Sequence, residues 1–309
     1  MSDLRFPVSG APELSTSRPR TIGSLEPVGP LSIGCWRLTG DRDNNTRLIE
    51  TALDLGMNLV DNADVYGLDW GGTHFGACEE ELGAILRARP GMRDRMVLAT
   101  KGGIIPGVPY DSSAQYLVAA CEASLARLGV DHIDLYQIHR PDMLTHPHEV
   151  ATALTSLRQR GLVRECGVSN HSVAQTRALQ TYMDGALVST QPEFSAECLA
   201  PMRDGTLDLC METSLTPLAW SPLAGGRLAT GEGVAPALVN VLDDLAARKS
   251  CSREAVALAF VLAHPSRPVA IVGTQSPERL SNLASATGVT LSRAEMYSII
   301  EASEGRKLP

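Results

Sequence analysis

Residues 96–139 read MVLATKGGIIPGVPYDSSAQYLVAACEASLARLGVDHIDLYQIH. Met96-Val97-Leu98-Ala99-Thr100-Lys101 is apolar at consecutive rather than alternating positions, as in a strand covered on both faces. Ser112 and Gln115 have the spacing of a capping box and open an amphipathic run that Gly129 ends. Ile133–His139 is a second buried strand, and like the first it finishes in a polar residue.

The same unit recurs in both directions from this stretch. Apolar runs lie at Leu31–Trp36 and Asn58–Asp61 before it, and at Glu165–Asn170, Ala186–Gln191, Thr216–Ser221 and Val269–Thr274 after it. Between them Thr46–Leu55 is helical and stops at Gly56, and another helix starts at Pro147 and ends at Gly161. Ser252 with Glu254 opens Ala255–Ala263, Ser276-Pro277-Glu278 opens a further helix, and Ser292 with Glu295 caps one near the end. Eight strand–helix units in one domain predict an α/β fold of the (β/α)8 TIM-barrel type. A doubly wound sheet would announce its dinucleotide site with G-x-G-x-x-G after an early strand. That pattern is absent, as are a Walker loop and HExxH. The helical pattern at Ala235–Lys249 precedes the seventh barrel helix and reads as an insertion, and extra helices follow at the C-terminal end. Residues 1–30 are expected to form an N-terminal arm, loose at first and then a short hairpin from Arg20 to Pro30. Residues 31–309 are expected to form a single barrel domain.

Composition narrows the function classes. The 309 residues carry 27 basic and 35 acidic side chains, a net charge of −8, and no dense Lys/Arg run, so a nucleic-acid partner is not expected. No apolar run reaches the ~18–20 residues that span a bilayer, and Met1–Pro30 lacks the apolar centre of a secretory signal, so no membrane role is expected. The seven cysteines, at 35, 78, 121, 166, 198, 210 and 251, are odd in number and form no CxxC pair. That pattern reads as reduced thiols in a cytoplasmic protein. His146-Pro147-His148-Glu149 reads as a solvated helix start rather than a metal site, because partner ligands are missing, and no metal is expected.

In a parallel barrel, functional groups collect where strands finish. Asp61, Lys101 and His139 end three consecutive strand runs, and neighbouring strands lie ~4.8 Å apart, so the three can converge. Tyr66 lies on the loop that follows Asp61. Taken singly, Asp61 could cap a turn, Lys101 could be a surface residue and His139 a satisfied core histidine. Their coincidence at matching strand ends favours a site.

Asp61-Asn62-Ala63-Asp64-Val65-Tyr66-Gly67 resembles the D-x-A-x-x-Y-G segment of the aldo-keto reductases. Thr100-Lys101, Ile138-His139-Arg140-Pro141-Asp142, Gly167-Val168-Ser169-Asn170 and Gln191 follow in that family's order. Ala219-Trp220-Ser221-Pro222-Leu223-Ala224-Gly225-Gly226-Arg227-Leu228 continues the match, which runs from about Ile33 to Asn282. Trp36-Arg37-Leu38 and Asp204-Gly205-Thr206-Leu207-Asp208 are similar to the bacterial YdhF-like branch. The resemblance implies reduction of an aldehyde or ketone to an alcohol, with hydride from a nicotinamide and a proton from Tyr66. Lys101 is then the cation that lowers the phenol's pKa from about 10, Asp61 the carboxylate that holds Lys101, and His139 the donor that orients the carbonyl oxygen.

For the cofactor, Ser169, Asn170 and Gln191 could grip the carboxamide, and Trp220 could stack on the nicotinamide, although Trp220 also suits a plain core position. Ser221, Pro222, Leu223, Gly225 and Arg227 would wrap the pyrophosphate. Gly273, Thr274, Gln275, Arg279 and Asn282 would face the adenosine half at a helix start. Trp36 is a candidate apolar wall of the substrate pocket, and Trp70, His74 and Phe75 either line its mouth or cover the barrel. Two departures from the family bear on the cofactor: Thr274-Gln275-Ser276 stands where a Lys or Arg is frequent, and Asn282 where Glu is frequent. NADP(H) is favoured through Arg279, with NAD(H) as the alternative. An NAD-linked sugar or alcohol dehydrogenase and a non-catalytic nucleotide-sensing subunit compete with the reductase. Oligomeric state and physiological substrate leave no mark in the sequence.

Overall fold

A computed structural model describes residues 16–68 and 72–309. Eight parallel strands close into a barrel in chain order. The chain runs β1 (Leu31–Gly34), α1 (Arg42–Asp54), β2 (Leu59–Asp61), α2 (Ala77–Ala88), β3 (Val97–Gly102), α3 (Ala114–Leu128), β4 (Ile133–Ile138) and α4 (Pro147–Gln159). It continues with β5 (Val163–Ser169), α5 (Val173–Gln180), β6 (Ser189–Gln191), α6 (Thr206–Thr213), β7 (Thr216–Ala219), α7 (Arg227–Thr230), α8 (Pro236–Lys249) and α9 (Arg253–Leu262). β8 (Val269–Val272), α10 (Pro277–Ala284) and α11 (Arg293–Glu304) complete it. β8 pairs with β1 through Leu31–Ala270 and Ile33–Val272, which closes the ring.

The two-residue period of the strands sorts their side chains. Leu98, Tyr136, Cys166 and Val168 belong to the layer between strands and helices. The alternate positions Leu59, Val97, Ala99, Leu135, Leu218 and Val269 form a separate inner cluster. The polar strand-end residues Asp61, Lys101, Gln137 and Ser169 continue that inner row by steps of two.

The hairpin expected over Arg20–Pro30 is present as a paired turn. Arg20 N donates to Val28 O at 2.8 Å, and Val28 N to Arg20 O at 2.9 Å. Its Ile22, Leu25 and Val28 are buried in the inner cluster, so they plug the end of the barrel where the strands begin. Polar ties fix the plug: Ser24 N donates to Glu165 Oε1 at 2.8 Å, and Arg20 Nε to Pro268 O at 3.1 Å. The loose arm expected before Arg20 lies mostly outside the described residues.

Several boundaries differ from the sequence reading. α1 starts at Arg42 rather than Thr46, because Asp41 caps it through the Asp43 amide at 3.0 Å. Ser113, not Ser112, caps α3, and the Ser112 amide instead donates to Asp142 Oδ2 at 3.0 Å. β5 and β7 stop short of the expected Asn170 and Ser221, where φ turns positive (58° and 48°). His146 caps α4 by accepting from the His148 amide at 3.2 Å, as a helix start should. The inserted α8 and the C-terminal α11 pack against each other outside the barrel ring.

Candidate active site

Where the strands end, the inner row turns polar. Lys101 is fully buried, and its ammonium spends all its donors. Nζ reaches Asp61 Oδ2 at 2.7 Å, Asn62 O at 2.8 Å and Tyr66 Oη at 3.2 Å. Asp61 Oδ1 accepts from Gln191 Nε2 at 3.1 Å and Gln137 Nε2 at 3.3 Å, so both carboxylate oxygens are hydrogen-bonded in the interior. His139 stands beside the phenol, its ring edge-on to that of Tyr66 with centroids 5.7 Å apart. The structure therefore brings Asp61, Tyr66, Lys101 and His139 into one cluster.

Electrostatics divides the cluster into one charged pair and two neutral groups. Burial alone would lower the Lys101 pKa, but the Asp61 carboxylate, and after it Tyr66, outweighs burial and raises it, so the ammonium is charged. Burial pushes the Tyr66 phenol above its ordinary value, and the pull of Lys101 offsets only part of that rise. The expected lowering of the phenol's pKa is therefore absent from the free protein: in a dry site, desolvation of a phenolate exceeds the help of a cation already shared with Asp61. Burial, then the charges of Lys101 and Arg140, hold His139 well below the imidazole range, so its ring is neutral near pH 7. His139 Nδ1 is buried and has no hydrogen-bond partner among the described residues. The arrangement suits proton transfer at an oxygen atom: a phenol that keeps its proton, a neutral imidazole beside it, and a fixed cation behind.

A cavity of about 800 Å³ opens over this cluster. Asp61, Tyr66, His139, Ser169, Asn170 and Gln191 wall one part of it, with Trp36 and Trp220. Ser221, Pro222, Leu223, Gly225, Gly273, Thr274, Gln275 and Arg279 wall the remainder. Asn170 organises the junction: its Nδ2 donates to Ser169 Oγ at 2.8 Å while its Oδ1 accepts from Trp220 Nε1 at 3.0 Å. Those bonds hold the indole at the cavity wall. The stretch after β7 turns sharply, with positive φ at Ser221, Ala224, Gly225 and Gly226. A Cβ added to Gly225, Gly226 or Gly273 would meet nothing within 4 Å, so backbone faces open space there. A cofactor-sized cavity with a polar end, an indole wall and a backbone-lined end fits a dinucleotide.

Some expected residues lie elsewhere. Lys101 sits beneath the wall rather than in it. Arg227 is exposed and pairs with Glu197 at 3.0 Å, because it begins α7 and its side chain follows the helix surface. Asn282 is exposed and off the wall. His74 binds Glu80 at 2.9 Å beside a separate groove, and Phe75 lies under the Arg127 guanidinium, so both cover α2 and α3 rather than the cavity. Trp70 lies outside the described residues. Conversely, Arg37, Val65, Ile104, Arg140 and Glu254 join the wall without having been singled out. The adjacency of Arg37 to Trp36 and of Arg140 to His139 was the available signal, whereas Glu254 depends on how α9 is turned.

The aldo/keto reductase family model matches residues 30–304. The chain is 44% identical over 286 residues to a 6-dehydroglucose reductase of Novosphingobium aromaticivorans, covering 91% of this chain and 94% of that protein. It is 35% identical over 303 residues to the oxidoreductase YdhF of Escherichia coli, covering 93% and 98% respectively. Its fold is similar to that of an aldo/keto reductase from Klebsiella pneumoniae solved with NADP and acetate (TM-score 0.76, 26% identity, covering 92% of this chain and 94% of that one). The chain belongs to the aldo/keto reductase family and is a carbonyl-reducing oxidoreductase. Among the described residues, no helix is long and apolar enough to cross a membrane.

Proposed function

We propose that this protein reduces an aldehyde or ketone to an alcohol with hydride from NAD(P)H and a proton from Tyr66. The observation that carries the reading is the contact of Lys101 Nζ with Tyr66 Oη at 3.2 Å and with Asp61 Oδ2 at 2.7 Å. Tyr66 keeps its proton at neutral pH, as an acid must, and Lys101 stabilises the phenolate that remains after transfer. Neutral His139 donates a hydrogen bond to the carbonyl oxygen and orients the carbon toward the cofactor. Asn170, Ser169 and Gln191 would hold the carboxamide, Trp220 would stack on the ring, and the stretch from Ser221 to Gly226 would offer its backbone to the pyrophosphate. When bound, the dinucleotide supplies the hydride.

Arg279 in the first turn of α10 favours NADPH over NADH, through attraction for the 2′-phosphate near exposed helix amides. The relative named 6-dehydroglucose reductase makes the C6 aldehyde of a hexose the first substrate to test. The decisive experiment is oxidation of NADPH or NADH, followed optically, with 6-dehydroglucose and a panel of simple aldehydes and ketones. Turnover supports the reading. Cofactor binding without turnover of any carbonyl would replace it with a nucleotide-sensing role.

A further inference from the structure

The first turns of α9 and α10 both contribute to the wall of the cavity. Glu254 is the second residue of α9, Arg279 the third of α10, and both wall the cavity with Gly225, Gly226, Ala229 and Ser276. Arg253, the cation next to Glu254 in sequence, is committed elsewhere: it grips Asp243 with two bonds of 2.6 and 2.7 Å and donates to Ala229 O. Among the described residues none donates a hydrogen bond to the Glu254 carboxylate or closes an ion pair with it, and the same holds for the Arg279 guanidinium. One half-buried carboxylate and one exposed guanidinium thus wall the same cavity from two helix starts, neither taken up by a hydrogen bond from the described residues, although Glu254 lies near enough to Arg253 to help raise its pKa.

A lone carboxylate is out of place where anionic phosphates bind, unless its ligand group is a hydrogen-bond donor. In dinucleotide sites of other folds a carboxylate reads the ribose diol, and a guanidinium reads the 2′-phosphate. We infer that Glu254 is a second determinant of cofactor choice, opposing Arg279: it accepts from the ribose hydroxyls of the adenosine half and repels a 2′-phosphate. This rests on the nicotinamide reading above. It makes the protein less selective for NADPH than Arg279 alone would make it, and able to bind both cofactors.

The test is the Kd of NADPH and of NADH, by calorimetry, for the wild type, Glu254→Gln and Arg279→Ala. Glu254→Gln keeps the size of the side chain, and thermal melting checks that each variant is folded. Glu254→Gln should tighten NADPH about tenfold and weaken NADH a few-fold, the scale of one charge-assisted contact. Arg279→Ala should weaken NADPH about tenfold and leave NADH nearly unchanged. The NADPH gain in Glu254→Gln should shrink as salt rises, because it is electrostatic. A ratio of the two Kd values unchanged in Glu254→Gln, or both cofactors shifting together, would overturn the assignment while leaving the nicotinamide reading intact. A folded wild type that binds neither cofactor would overturn both.

Discussion

At one end of the barrel, Ile22, Leu25 and Val28 of the hairpin press on Leu59, Val97, Leu135 and Val269. At the other, one or two side-chain steps further along the same strands, stand Asp61, Lys101 and Gln137, and a cavity rather than a hairpin lies over Asp61. The first end hides apolar surface, which stabilises the fold. The second holds an ion pair and two neutral titratable groups away from water, which costs stability and is tolerable because both Asp61 oxygens and all three donors of Lys101 are hydrogen-bonded. The contrast shows how one set of strands serves both purposes: the two-residue period carries each strand from plug to site within a few positions.

Substitutions at the two ends should therefore fail in different ways. The largest effect belongs to Tyr66→Phe, which removes the proton and keeps the ring. The kcat should fall by at least ~10²-fold, while cofactor Kd and melting temperature stay near wild type. Retention of more than about a tenth of kcat would remove Tyr66 from the role of acid.

Lys101→Met should be nearly as damaging, but it leaves Asp61 buried opposite no cation, so it is best compared with the Asp61→Asn/Lys101→Met double variant. Without the ammonium the phenol's pKa rises further. The alkaline limb of carbonyl reduction, which needs the phenol protonated, should move up in pH. Alcohol oxidation, which needs the phenolate, should collapse. An unchanged pH profile in the double variant would show that Lys101 does not govern Tyr66.

Ile22→Ala should do the reverse. It opens a cavity in the plug and should cost about 2–5 kcal/mol of stability, read from denaturant midpoints, with kcat unchanged at a temperature where the variant is folded. A parallel loss of kcat would mean that the two ends are coupled.

Acid should weaken the site end in a way the plug end does not share. His139 is held neutral in the folded chain, with a pKa below that of the unfolded chain near 6.5. It therefore contributes fully above pH ~6.5 and loses stability as pH falls, by up to about 1.4 kcal/mol per pH unit. His139→Gln should flatten the dependence of the denaturant midpoint on pH between ~7 and ~5 relative to wild type, and an unaltered slope would show that His139 does not carry it. The smallest effect is optical. If Trp220 lies against the nicotinamide, Trp220→Phe should remove most of the fluorescence change on NADPH binding, and a variant with the full change would displace the ring from that wall.

Much of this was legible in the sequence, for identifiable reasons. The strands were visible because buried parallel strands are apolar throughout, and Asp61, Lys101 and His139 stood out as the polar residues that end them. Gln137 did not, because a single polar side chain within the run Ile133–His139 reads as part of the strand, and only the inward register reveals it under Asp61. α2 has Gly76 at its cap with no side-chain bond, so no capping residue announced it. Glu254 was read as part of a helix start, and its place in the cavity wall follows from the rotation of α9, which no local pattern encodes. Arg227 erred the other way: the glycine pair before it suggested phosphate, but the helix that begins at Arg227 carries its side chain to Glu197.

The plug also bears on how the chain reaches this state. Arg20 donates to Pro268 O and Leu262 O, partners 248 and 242 residues away. The hairpin is made before any strand of the barrel, yet its seat is not complete until β8 has been made and has closed on β1. Until then Ile22, Leu25 and Val28 have nothing to cover them, and loop closure across most of the chain must precede their burial. Seating the plug is accordingly a late event in barrel assembly, and a chain interrupted before β8 carries a hydrophobic hook with no socket.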